Sequence, residues 1–190
     1  MGSISDRIVG ITAPQRANAA LIENAFRVAG YSDTLIAAAL VNALVESGLN
    51  AKAAGDNGAS VGLFQLNRVA GAGRGYSVQA LEDPSNNVRI LLALEKKALA
   101  KVEAAVTAGA GVAEAAGLFA VYVERPRDTL GEKARRAAAV ARYFPVAALA
   151  PIERGATDML KVYTLTGAAG LVLLGTVLSI RKWKRARHRL

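Results

Sequence analysis

Helical periodicity is the feature that most constrains this chain. From about residue 14 to residue 143, apolar residues recur at spacings of three and four, with alanine as the filler, and the alternation expected of half-buried strands is nearly absent. The spacing predicts helices over residues 14–29, 32–47, 84–108, 112–123 and 128–143. Gly30, Gly48, Gly109, Gly111 and Pro126 stand at the stops between them, where glycine can close a helix in the left-handed region and proline cannot continue one. Asp33 and Asp128 occupy the positions expected of N-caps, whose side-chain oxygens accept from the free N–H groups of a first turn. A chain of 190 residues read this way is one all-α domain with an appendage. The hydrophobic fraction of 53% supplies a packed core and excludes disorder as the main state.

The appendage is C-terminal. Residues 162–180 form a run of 19 without a charged side chain, and a helix of that length spans roughly 28 Å, close to the hydrocarbon thickness of a bilayer. Tyr163 and Trp183 flank the run, as amphipathic rings do at the headgroup layer. Arg181, Lys182, Lys184, Arg185, Arg187 and Arg189 then follow, so most of the formal charge of +9 belongs to the last ten residues and the remainder of the chain is nearly balanced. The expected organisation is a domain over residues 1–150, a linker over 151–161, a single transmembrane helix over 162–180 and a basic tail over 181–190. A buried core helix with a solvated basic end is the alternative for the apolar run. At the N-terminus no apolar stretch is long enough for a secretory signal peptide.

Chemistry is restricted by what is missing. The sequence has no cysteine and one histidine, His188, which excludes a disulfide framework, a thiol nucleophile, a Ser-His-Asp triad and a zinc site of His or Cys ligands. Catalysis would run on carboxylates, tyrosine or lysine, and no metal or cofactor is expected. Residues 48–76 carry seven glycines and little periodicity, and a loop of this length inside a compact domain is commonly functional. Glu46 lies just before it, at the C-terminus of an apolar helix. The negative end of the helix dipole and an apolar surrounding both oppose ionisation there, a property that a general acid needs. A solvated last-turn glutamate is the plain alternative.

The text after Glu46 adds a pattern. Glu46-Ser47-Gly48-Leu49-Asn50, followed by Gly55-Asp56-Asn57-Gly58-Ala59-Ser60-Val61-Gly62-Leu63-Phe64-Gln65-Leu66-Asn67, resembles the lytic transglycosylase and goose-type lysozyme superfamily, most closely its phage-virion branch. In that superfamily a Glu-Ser pair closes a helix and a Gly-Leu-(Met/Phe)-Gln-(Ile/Leu) motif follows. The resemblance covers roughly residues 30–145. A third motif, usually Ala-Tyr-Asn-(Ala)-Gly, is replaced here by Phe119-Ala120-Val121-Tyr122-Val123-Glu124-Arg125-Pro126, whose Glu-Arg-Pro looks like the variant of phage tail lysozymes.

The resemblance implies a lysozyme-like fold and a peptidoglycan substrate. It makes Glu46 the acid that protonates the glycosidic oxygen between N-acetylmuramic acid and N-acetylglucosamine, and then the base that takes the proton of the attacking C6 hydroxyl. It makes Ser60, Gln65, Tyr122 and Glu124 substrate-binding, with Ser60 holding the sugar or Glu46, and Gln65 bonding the N-acetyl group or loop backbone. Tyr122 and Phe119, three apart on a helix, also read as core aromatics. Asp56 sits in a turn sequence and is expected to be structural, with a hydrolytic second carboxylate or a cation contact as alternatives. Arg68 and Arg74 flank the loop and read as solvated. The implied setting is a phage particle, with the enzyme anchored in a membrane and opening the wall for genome delivery. The basic tail then flanks the membrane helix, contact with packaged nucleic acid being the lesser alternative, and other virion proteins are possible partners. A bacterial inner-membrane enzyme, or a silent glycan-binding or vertex scaffold, are the competing readings.

Overall fold

The computed structural model describes residues 2–126, 128–145 and 149. The linker, transmembrane helix and basic tail expected over residues 151–190 lie outside the described residues. Among those described, no helix is long and apolar enough to cross a membrane.

The helices are α1 (Ala13–Val28), α2 (Asp33–Ser47), α3 (Val78–Glu82), α4 (Pro84–Leu94), α5 (Lys96–Thr107), α6 (Val112–Phe119) and α7 (Thr129–Tyr143), with a π-helical turn, Ala120–Glu124, continuing α6. Helix α2 is the axis of the domain. Its residues from Leu35 to Ala43 are fully buried on every face, as expected of an apolar helix surrounded by others. It packs against α1, α6 and α7. Phe26 of α1, Phe64 and Phe119 of α6 form an aromatic chain through the core, with ring centroids 6.3 and 6.1 Å apart.

Local chemistry explains the helix starts. Thr12 and Gln15 form a capping box at α1, and Pro14 occupies its first turn, where the missing N–H costs nothing. Asp128 caps α7 as expected, accepting from Gly131 N at 2.9 Å. The cap of α2 is Ser32 rather than Asp33; Asp33 falls in the first turn and pairs with Arg27 at 2.9 Å.

Three expected elements differ. The helix over residues 84–108 is two helices, because Glu95 leaves the helical region (φ −102°, ψ 16°) with its side chain turned inward. The helix over 112–123 changes to the wider π turn at Ala120. The glycine-rich segment is not all loop: β1 (Ala54–Gly55), β2 (Ser60–Val61) and β3 (Leu66–Asn67) form an antiparallel sheet, registered Gly55 to Ser60 and Val61 to Leu66. Strands of two residues are too short to show alternation, and so they carry no periodic signal.

Candidate active site

The end of α2 turns the chain into this sheet. Gly48 takes the left-handed conformation (φ 61°) that closes the helix. Two residues of α1 hold the exit: Gln15 Nε2 donates to the Gly48 carbonyl at 2.8 Å, and Asn18 Nδ2 to that of Leu49 at 2.9 Å. Ser47 Oγ shares its proton between the carbonyls of Ala43 (3.0 Å) and Leu63 (2.8 Å), tying the last turn of α2 to the Gly62-Leu63-Phe64-Gln65 turn. The spacing between the Glu-Ser pair and that turn therefore has a mechanical meaning.

The turn itself is gripped by Asn87 of α4, which is fully buried. Its Nδ2 donates to the carbonyls of Val61 (3.1 Å) and Leu81 (2.9 Å), and its Oδ1 accepts from Phe64 N at 3.1 Å. Gly62 is required here: its φ is +85°, and a Cβ would lie 2.2 Å from Asn87 Nδ2 and 2.3 Å from the Leu81 carbonyl.

Glu46 therefore opens, beside this turn, into a cleft of about 360 Å³. Its carboxylate does not meet the apolar surrounding expected from the sequence. Arg136 of α7, only 1% exposed, reaches across α2 and donates from Nη2 to Glu46 Oε1 and to Glu124 Oε2, each at 2.5 Å. Its Nε donates to Asn42 Oδ1 at 2.7 Å, one turn before Glu46 on the same face of α2. Asn42 Nδ2 in turn donates to the carbonyls of Ala38 and Ala116. Glu132 Oε2 lies 3.3 Å from Arg136 Nη1, and Glu132 is also paired with the exposed Arg135 at 2.8 Å.

Three carboxylates thus share two guanidinium groups, which leaves one negative charge in excess. Burial, and then the neighbouring Glu46 carboxylate, push the Glu124 carboxyl up to about 8, against the downward pull of Arg136. Glu124 raised in this way favours its protonated form near neutral pH while it shares an Arg136 nitrogen with Glu46, in the manner of carboxylates that cannot both ionise on one site. A proton-bearing carboxyl pair at a cleft wall can protonate a leaving oxygen and take a proton back.

The other expected residues are placed as follows. Ser60, Gln65 and Glu124 line the cleft, together with Asp56, Glu95 and Arg125. Ser60 Oγ donates to Asp56 Oδ2 at 2.6 Å rather than to Glu46. Gln65 Nε2 bonds loop backbone, donating to the carbonyls of Ala53 (3.0 Å) and Gly62 (2.9 Å). Tyr122 is not among the residues lining the cleft; it packs on the core with Lys101 Nζ 5.3 Å from its ring centroid. Glu95, at the break between α4 and α5, pairs with Arg125 at 2.6 and 3.3 Å.

A family model matches residues 17–145, more than half of the chain, and its description is phage tail lysozyme. The chain belongs to the phage tail lysozyme family. Membership points to a lysozyme-like, peptidoglycan-lytic enzyme associated with a virion, with peptidoglycan as its substrate. Searches of curated proteins and of solved structures returned no match. The matched span includes the whole of the Glu46 cleft and every partner of Arg136 named above.

Proposed function

We propose that this phage tail lysozyme cleaves glycan strands as a lytic transglycosylase, with Glu46 as general acid and then general base. Glu46 protonates the glycosidic oxygen between N-acetylmuramic acid and N-acetylglucosamine as the bond to the anomeric carbon breaks. The muramic acid C6 hydroxyl attacks that carbon and gives its proton to Glu46, which returns to its acid form. Ser60, Gln65 and Glu124 line the path of the glycan. The observation that supports a single working carboxylate is the shared Arg136 nitrogen. The bonded Glu46 and Glu124 oxygens are no farther apart than two 2.5 Å contacts laid end to end, so this pair is too close to admit the attacking water of an inverting glycosidase, whose carboxylates stand about 6.5 Å or more apart, and both bonded oxygens are turned to one guanidinium nitrogen. A nucleophile carried by the substrate needs no second carboxylate and acts at high effective concentration.

The second reading, hydrolysis, has its own observation: Asp56 lines the same cleft. Its bond with Ser60 supports a structural role instead. The masses of soluble fragments released from purified peptidoglycan separate the two. The transglycosylase yields 1,6-anhydromuramic ends, lighter by one water than reducing ends, and Asp56→Asn keeps most of the activity. Reducing ends, with activity lost in Asp56→Asn, would make the enzyme a hydrolase with Asp56 activating water. The proposed setting is a phage particle in which the uncharged run 162–180 and its basic flank anchor the enzyme to a membrane while it opens the wall for genome delivery.

A further inference from the structure

The proposed reaction uses one of the acidic side chains gathered on Arg136 and leaves Glu124 without a task beyond lining the cleft. Glu124 ends the π turn after α6, a helical form that recurs at functional sites. Its Oε2 occupies the same Arg136 nitrogen as Glu46, and its Oε1 is buried without a hydrogen-bond partner among the described residues. A buried carboxylate oxygen with no donor is costly, and protonation lowers that cost by removing the charge.

The charges around Glu124 come from α2, α7, the junction of α4 and α5, and the sheet; α6, which packs on the π turn, carries only the exposed Glu114 in its first turn. Helix α2 presents Glu46, and α7 presents Arg136 and Glu132, the latter shared with Arg135. The junction of α4 and α5 presents Glu95, which is neutralised by Arg125. Lys101 of α5 stands over the Tyr122 ring, and Asp56 on the sheet is bonded to Ser60. The excess charge is therefore local to the carboxylates on Arg136.

We propose that Glu124 is a positioning residue that stores the proton delivered by Glu46 and takes over Arg136 as counter-ion while Glu46 is protonated. A lone carboxyl against a buried guanidinium would be held ionised and would be a poor acid at neutral pH. A second carboxyl on the same nitrogen cancels that pull. As substrate covers Glu46, the O–H bond at Glu124 breaks and one forms at Glu46, leaving Glu124 ionised against Arg136. Glu46 then passes the proton to the glycosidic oxygen as the C–O bond breaks, and the proton of the attacking hydroxyl returns to the pair. No co-reactant enters. The burial and like-charge repulsion that raise Glu124 to about 8 agree with the proton residing there before substrate binds.

This inference rests on Glu46 as the acid, and its test keeps the two apart. The rate of peptidoglycan solubilisation by the full chain is measured against pH for wild type, Glu124→Gln and Glu46→Gln. Glu124→Gln should move the alkaline limb acidward by about one pH unit or more, with activity down about tenfold or more near pH 8 and recovering near pH 5. A uniform loss at every pH, or a limb that stays in place, overturns the proposal; activity remaining in Glu46→Gln overturns the reading beneath it. Infrared titration of the wild-type full chain serves even where Glu124→Gln does not fold. The carbonyl stretch of one protonated carboxyl should persist at about pH 7 and disappear above about pH 8, and its absence above about pH 6 overturns the proposal.

Discussion

A guanidinium as buried as that of Arg136 is stable only because acceptors surround it: Glu46, Glu124 and Glu132 by charge, Asn42 by a neutral carbonyl. Burial alone would disfavour its charged form, but Glu124, Glu46 and Glu132 outweigh that and hold it protonated above the ordinary arginine range. Removing it should therefore leave Glu46, Glu124 and Glu132 without their shared counter-ion. Arg136→Met is expected to lower the free energy of unfolding in urea by about 3–5 kcal/mol near pH 7, and by less near pH 5, where the pair protonates more readily. An equal loss at both pH values would mean that packing, not charge, is what Arg136 supplies. That Glu46 and Gln65 stand at one cleft was legible from motifs that lie close together in the chain. Arg136 was not, because its partner Glu46 is ninety residues away. Its signal was an arginine on the apolar stripe of α7, beside Ala139 and Val140 and one turn after Glu132. Asn42 and Asn87, buried amides inside apolar helices, carried the same kind of signal.

At the scale of elements, periodicity located the long helices within a residue or two, since each has an apolar face to bury. It could not see the break at Glu95, where that side chain pairs with the distant Arg125, nor a sheet made of two-residue strands. It was also silent on the N-terminal segment, which is clamped to α1 by Glu23. That carboxylate accepts from Ser3 Oγ (2.5 Å), Ile4 N (3.1 Å), Ser5 N (2.8 Å) and Arg27 Nη2 (3.0 Å). Burial alone would raise its pKa, but these donors outweigh burial and carry it from 4.5 to about 2. A folded value below the unfolded one means that the unfolded chain binds the proton more readily. The stabilisation is thus complete above 4.5 and is lost as pH falls through about 2. Melting temperatures of wild type and Glu23→Gln should differ clearly at pH 6 and converge toward pH 2. A difference that stays constant across this range would remove Glu23 from the account of acid stability.

For the whole molecule, the packed core runs from Ile4 to Phe144 and the family match ends at residue 145. The catalytic domain is therefore expected to stand without the C-terminal run: a chain ending at residue 155 should be soluble, helical by circular dichroism and active on peptidoglycan. An insoluble or unfolded product would move residues 156–190 into the domain. Wall cleavage by proton transfer at Glu46 makes the release of soluble fragments from purified peptidoglycan depend on that one carboxyl, and the comparison is of wild type with Glu46→Gln at equal concentration, with matching circular dichroism spectra. The amide keeps the shape and cannot transfer the proton, and one such step alone is worth about 10² to 10⁴ in rate. Release should fall by at least that factor, and a folded Glu46→Gln within tenfold of wild type would remove Glu46 as the proton donor.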